Sequence, residues 1–278
     1  MMERDSFRID LQFHPFKNSE YGLLDILKAM EEKHLDALGC LEYNWQRNVS
    51  LVVVREINKE VKKNYLVDDV DGNLFFTNKK TGRVLCLILG QEVASPNQEW
   101  HFLSIGALGI MSWQKPEDII KEILDKDGLV VFDHPFADPQ RFFAGITKQK
   151  EEKLFLLCEK YKGKIALEWN ACCLPRLRKI LPFYGGEVNK KTEELARRLE
   201  IPVVPTTDLH AMNKDMLSAM GTCFIEILFD GMHCEKILSV LKESIFSFNF
   251  ESHKDYVSFS HFFSAFAVPY IKSKMAAG

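Results

Sequence analysis

Residues 203–213 read VVPTTDLHAMN. A run of β-branched residues, entered from Pro202 and interrupted by Pro205, stops at Asp208 and His210. Side chains two positions apart share one face of an extended chain. The end of this strand therefore offers a carboxylate and an imidazole to one cation. Imidazole together with carboxylate suits zinc, manganese or iron. The fold depends on whether the pattern, an apolar run closed by metal-capable chemistry, recurs along the chain.

It recurs. Strands are expected at FRIDLQF (7–13), LDALGCLEY (35–43, in its C-terminal half), VLCLILGQEV (84–93), HFLSIGA (101–107), GLVVFDHP (128–135) and KIALEWN (164–170), with PVVPTTDLH (202–210) as the seventh. Amphipathic stretches lie between them: GLLDILKAMEEKH, KPEDIIKEILDKD, KQKEEKLFLLCEKY and NKKTEELARRLEI. In the second, Pro116 near the helix start and acids in the first turn suit an N-terminus. Alternation of strands and helices predicts βα units and a parallel sheet. In a parallel barrel all C-terminal strand ends open on one face, where active sites are built. At or beside these ends stand Asp10, His14, Glu42, Glu92, His101, His134, Glu168, Asp208 and His210.

Composition bounds the reading. The 278 residues, 46% hydrophobic, are enough for one α/β barrel with a sizeable core. We read 1–278 as a single barrel domain. The Asp71-Gly72 and Thr81-Gly82 turns predict a hairpin insertion around 64–90, and the aromatic tail from Ser244 onward predicts a last strand and helix. Lys and Arg number 36 against 39 Asp and Glu, and the net charge of −3 offers no broad basic field for nucleic acid or anionic lipid. The charged start MMERDSFRID and the lack of an apolar run of about 18 residues predict neither a signal peptide nor a membrane span. A cytoplasmic protein is expected. Seven cysteines, an odd number without CxxC spacing, are expected to be buried thiols.

Taken in order, these residues resemble the PHP (polymerase and histidinol phosphatase) domain superfamily, metal-dependent proteins with a distorted seven-stranded TIM-like α/β barrel. The family's D-L-H-x-H is matched by DLQFH, with Asp10, Gln12 and His14. Its T-D-H is matched by LEY, placing Glu42 and Tyr43 at the Asp and His positions. A bridging Glu after a Gly is matched by Glu92 in LGQEVAS, and a His opening a strand by His101. H-P is matched by His134-Pro135, E-x-N by Glu168 and Asn170, and S-D-x-H by Asp208 and His210 in TTDLH. Two departures stand out: Gln12 replaces the first His, and Tyr43 replaces the His of the second motif.

The resemblance implies a site for two or three divalent ions, Zn, Mn or Fe. One ion would take Glu92, His101 and His134. A neighbour would take His14, Asp208 and the bridging Glu92, with Gln12 beside them. A third would fall to His210 and Glu42. It also implies phosphoester hydrolysis, in which two cations about 4 Å apart activate water and neutralise the attacking and leaving oxygens. Catalytic roles would then fall to Glu92 as bridge and to Asp208 and His210 as proton handlers. Arg141, Arg176 and Arg178 follow strand ends and are candidate phosphate clamps. The expected substrate is a small phosphorylated metabolite or nucleotide. Two other readings remain open: a degenerate PHP module that binds without catalysis, favoured by Gln12 and Tyr43, and an amidohydrolase-type enzyme, disfavoured by the lack of a lysine at a bridging position. Glu168 and Asn170 are expected to orient ligands rather than to ligate. Trp45 and Trp113 read as core or pocket-wall aromatics.

Overall fold

The computed structural model describes residues 5–45, 48–138, 144–174, 187–229 and 236–264. Strand β1 (Asp5–Phe13) leads through α1 (Leu23–Glu32) to β2 (Ala37–Tyr43). Two short helices, α2 (Val52–Arg55) and α3 (Lys59–Asn64), precede the hairpin of β3 (Tyr65–Val70) and β4 (Asn73–Asn78). Then come β5 (Val84–Ala94), β6 (His101–Ile105), α4 (Pro116–Asp125) and β7 (Leu129–Asp133). A short ribbon of β8 (Ala137–Asp138) and β9 (Ala144–Gly145) leads to α5 (Lys148–Lys160), β10 (Ile165–Asn170), α6 (Val188–Leu199) and β11 (Val203–Thr206). The described chain finishes with β12 (Phe224–Phe229), α7 (Ile237–Phe246), β13 (Glu251–His253) and α8 (Phe259–Phe262).

The helices begin where local chemistry starts them. Pro116 occupies the first turn of α4, with Glu117 and Asp118 against the N-terminal dipole. Thr147 caps α5 by accepting a hydrogen bond from the Lys150 amide. Ile119, Ile120 and Ile123 form the buried stripe of α4, the face that the spacing of apolar residues dictates.

Seven strands curl into a nearly closed barrel in the order β11-β10-β7-β6-β5-β2-β1. The pairs β1·β2, β2·β5, β7·β10 and β10·β11 are parallel, whereas β6 runs against both of its neighbours. The seam closes just beyond β11, where the His14 amide donates to Leu209 O (2.9 Å) and the Leu209 amide to Gln12 O (3.1 Å). Lower down, β12 lies antiparallel to β1, with Ile9 opposite Ile225. This strand was absent from the sequence expectation. Strand β5 is shared: residues 84–87 pair with β4 and 90–94 with β6. Gly90 sits at this changeover, and a Cβ there would lie 2.2 Å from Ser104 O.

The inner and outer faces follow from period-two alternation. Ile9, Leu41, Ile88, Leu103, Val131, Ala166 and Val204 come from the seven barrel strands and pack as one buried cluster, the barrel interior. Leu38, Cys40, Leu87 and Leu89 pack instead with α1 and α3. Phe102, Val130, Phe132 and Leu167 pack with α4, α5 and α6. Six of the seven cysteines are among the described residues, all buried and none in a disulfide. No helix among the described residues is long and apolar enough to cross a membrane.

Candidate metal centre

Extending each strand's alternation to the mouth predicts which side chains point inward. On β5, Cys86 and Ile88 face in, so Glu92 does too. On β7, Leu129 and Val131 bring Asp133 inward. Leu103 does the same for His101, which opens the antiparallel β6 and so lies at the same mouth as the ends of the parallel strands. Val204 places Thr206 and Asp208, and Ala166 places Glu168 and Asn170. Ala37 and Leu41 make Tyr43 the inward residue of β2 and turn Glu42 outward. All of these inward side chains except Tyr43 are buried.

Strand β1 reaches the mouth through an irregularity. Its register on β2 slips between Asp10↔Leu38 and Phe13↔Cys40, three residues opposing two. This β-bulge re-aims the side chains beyond it. Gln12 and His14 enter the centre, while Asp10 stays behind as a structural acceptor for the amides of Gln12 (3.4 Å), Thr207 (3.1 Å) and Gly221 (3.2 Å). Burial pushes the Asp10 carboxyl up to about 6, against the pull of those donors.

Two groups of potential ligands result, each with its ligand atoms within 4.8 Å of one another. One is Glu92, His101, Asp133 and His134; the other is His14, Asp208 and His210. Glu92 joins them. Its Oε1 lies 2.6 Å from His101 Nδ1 and its Oε2 lies 3.3 Å from His14 Nε2. His14 Nε2 is also 3.4 Å from Asp208 Oδ1, and His134 Nε2 is 3.1 Å from Asp133 Oδ2. Two of the candidate ligand residues have left-handed backbone, His134 (φ 28°) and Asp208 (φ 51°). Such strain in non-glycine residues clusters at functional sites.

The centre also passes a direct test for cations. Both ring nitrogens of His101, Asp133 Oδ2 and Asp208 Oδ1 are buried without a hydrogen-bonding partner. His101 Nδ1 is close to Glu92 yet outside hydrogen-bonding geometry. Buried polar atoms are ordinarily satisfied, and His101, Asp133 and Asp208, which carry these unpaired atoms, each belong to one of the two groups. A nitrogen and carboxylate donor set of this kind fits divalent metal ions.

Charge is organised around the same points. Burial works to raise the Glu92 carboxyl, but His101 and then His14 outweigh it and hold it below the usual range. Asp208 is held well below that range by His210 and His14 despite its burial. Burial and the neighbouring Glu92 push Asp133 well up, and burial and Asp133 do the same to Glu168. His14 is lowered by burial and by His210. His210 is raised because Asp208 overcomes its burial.

Glu42 and Gln12 are placed differently from the expectation, whereas Glu168 and Asn170 hold their neighbours. Glu42 stands outside both groups: its carboxylate accepts from the Leu51 amide (3.4 Å) and from Gln91 Nε2 (3.4 Å). Gln12 enters with its nitrogen, 3.2 Å from His14 Nε2 and 3.4 Å from Asp133 Oδ1, while its oxygen accepts from the Thr206 hydroxyl at 3.0 Å. Gln12 thus lies between the two groups, in contact with both. Glu168 accepts from the His134 amide (2.6 Å), and Asn170 donates to Asp208 Oδ2 and Glu168 Oε1, both at 3.0 Å. Arg141, Arg176 and Arg178 lie outside the described residues.

Two residues had not been singled out. Asp133 was hidden in the quoted GLVVFDHP; the alternation of β7 would have exposed it. His261 on α8 is 9% exposed, its Nε2 has no partner, and burial together with His210 lowers its pKa. No local sequence signal marks it, because α8 is a single turn reached through a long excursion of the chain.

Solved structures share this architecture. A two-domain protein from Bacteroides vulgatus containing a predicted PHP-like metal-dependent phosphoesterase superposes with a TM-score of 0.56 at 12% identity, covering 94% of this chain and 70% of that one. The fold is a PHP-type barrel. PsfC from Pseudomonas syringae superposes with a TM-score of 0.53 at 12% identity, over 97% of this chain and 99% of that one. A lesion-specific endonuclease from Pyrococcus furiosus gives a TM-score of 0.44 at 16% identity, over 89% and 58%. No protein-family model matches the sequence, and no curated protein matches it significantly. The PHP-type barrel is therefore recognised through its shape, with its candidate ligands at the mouth.

Proposed function

We propose that this protein is a metal-dependent phosphoesterase acting on a small phosphorylated metabolite or nucleotide through two divalent ions. The observation that carries the reading is Glu92, which offers one carboxylate oxygen to each ligand group. Cations bound there would supply an activated water and neutralise charge on the attacking and leaving oxygens. The chain's own residues do the rest. Glu92, with His101, Asp133 and His134 on one side and His14 and Asp208 on the other, fixes the spacing. Asn170 and Glu168 lock Asp208 and the His134 backbone in place, support of the kind that tunes ligand orientation. Asp208 and His210, whose pKa Asp208 raises, are the proposed proton handlers beside the centre. Gln12 Nε2 lies between the two groups, against His14 and Asp133, and helps to orient them. Arg141, Arg176 and Arg178 are the proposed clamps, on the sequence grounds that they follow β7 and β10.

The test is phosphate release from a panel of monoesters by protein loaded in turn with Mn²⁺, Zn²⁺ and Fe²⁺, with Glu92→Gln and His134→Ala as controls. Metal-dependent turnover lost in both variants is expected. One observation favours a second reading, a binding module without catalysis: Gln12 and Tyr43 fill positions where the resemblance calls for imidazoles. Protein that binds metal fully yet turns over nothing in the panel would establish that alternative.

A further inference from the structure

An aromatic wall begins at the ligands themselves. The Tyr43 ring lies 4.8 Å from that of His14 and 6.1 Å from that of His210. Trp45 stacks on Tyr43 (4.7 Å between centroids, 16° between planes) and stands 5.3 Å from the His101 ring. Trp113 meets Trp45 edge-on at 6.4 Å. The wall thus touches ligands of both groups and runs outward from them.

Its outer member is not packed away. Trp113 is 50% exposed, although a ring of that size is ordinarily buried. Its backbone is left-handed (φ 69°), a conformation costly for a bulky residue. The surrounding structure imposes this: the Trp113 amide donates to Ala94 O at 2.7 Å, and Ser112 Oγ accepts from the Ala94 amide at 3.0 Å. The Ser112 hydroxyl in turn donates to Asn44 Oδ1, and Asn44 Nδ2 donates to Ile110 O. The loop is therefore pinned both to the end of β5 and to the residue beside Trp45. A strained, pinned backbone that leaves an indole half exposed next to a buried charged centre gains little for packing. It is suited to receiving a flat ring.

We propose that Trp113, supported by Trp45 and Tyr43, is the specificity platform for the base of a nucleoside monophosphate whose phosphoryl group sits at the Glu92 centre. This rests on the phosphoesterase reading and narrows its substrate class. A planar ring matches the platform because stacking on an aromatic face is tolerant of base identity. A mononucleotide matches better than a polynucleotide because the net charge of −3 provides no extended field for a phosphodiester backbone. Sugar phosphates reach the metal centre but leave the Trp113 face empty.

The experiment compares adenosine 5′-monophosphate with ribose 5-phosphate, which presents the same phosphoryl group without the base, using Mn²⁺-loaded protein. In parallel, tryptophan fluorescence is titrated with adenosine 5′-monophosphate. The expected result is a kcat/KM about tenfold or more in favour of the nucleotide, expressed in KM, with saturable quenching. In Trp113→Ala, that preference ratio falls towards one. Equal kcat/KM for the two esters in the unmodified protein overturns the platform and leaves the phosphoesterase reading standing. Saturable quenching without hydrolysis of either ester supports the platform and removes the catalytic reading. Neither quenching nor hydrolysis removes both.

Discussion

The hydroxyl of Tyr43 lies 2.5 Å from Nε2 of His210. His210 Nδ1 is 3.2 Å from Asp208 O, an acceptor. Burial and the charge of Glu92 push the Tyr43 pKa well up, so the phenol keeps its proton. Both imidazole nitrogens are thereby engaged, and Tyr43 stands where a third cation would need a second imidazole. Replacing it should restore that site. Tyr43→His is expected to raise the bound divalent metal by one ion per chain over the unmodified protein by elemental analysis, and Tyr43→Phe to leave it unchanged. No gain in the histidine variant would show that Tyr43 is not what limits the count.

Gln12 sits at the seam between the two ligand groups with its nitrogen inward. An imidazole there adds a ligand atom. Gln12→His should tighten metal binding by about tenfold or more, read by competition against a chelating dye. Unchanged affinity would mean that residue 12 does not face the ions.

Asp10 gives a pH signature separable from the centre. Its folded pKa of about 6 exceeds the ordinary 3.8, so the unfolded chain ionises first as pH rises, and folded stability falls between those two values. The linked loss is roughly 3 kcal/mol once pH exceeds both. Asp10→Asn cannot titrate. Its stability relative to the unmodified protein should therefore improve by about that amount between pH 3.5 and 6.5 in urea denaturation. A difference that is flat with pH would refute the burial of an ionising Asp10.

A Cβ at residue 90 would lie 2.2 Å from Ser104 O and 2.7 Å from a Leu41 methyl. The backbone oxygen cannot move without disturbing the β5·β6 ladder. Gly90→Ala should cost about 1–3 kcal/mol and, because Glu92 is two residues away on the same strand, should also weaken metal binding. Thermal unfolding of the metal-free protein separates the two effects.

Much of this was legible in the sequence, for an identifiable reason. Buried barrel strands are continuous apolar runs, and β1, β2, β5, β6, β7, β10 and β11 could be read directly from theirs. The candidate ligands at strand ends followed from position alone: His14, Glu92, His101, His134, Asp208 and His210 all lie at the mouth. What failed was the face on which each lies. Motif matching placed Glu42 in the site and passed over Asp133, whereas alternation turns the first outward and brings the second in. Even alternation misleads at β1, where the bulge breaks the shared face of Asp10, Gln12 and His14. Strand β12 escaped because TCFIEILFD lies outside the βα rhythm and pairs antiparallel with a strand more than 200 residues away. His261 escaped because only tertiary folding brings α8 near His210.

The central proposal is that these residues would hold two cations, with Glu92 shared between them. Anomalous diffraction from crystals grown with Mn²⁺ measures it most directly. Two peaks about 3.5–4 Å apart are expected, one beside His101, Asp133 and His134, the other beside His14 and Asp208, with the Glu92 carboxylate between them. A single ion elsewhere on the barrel, or none in protein saturated with metal, would contradict it.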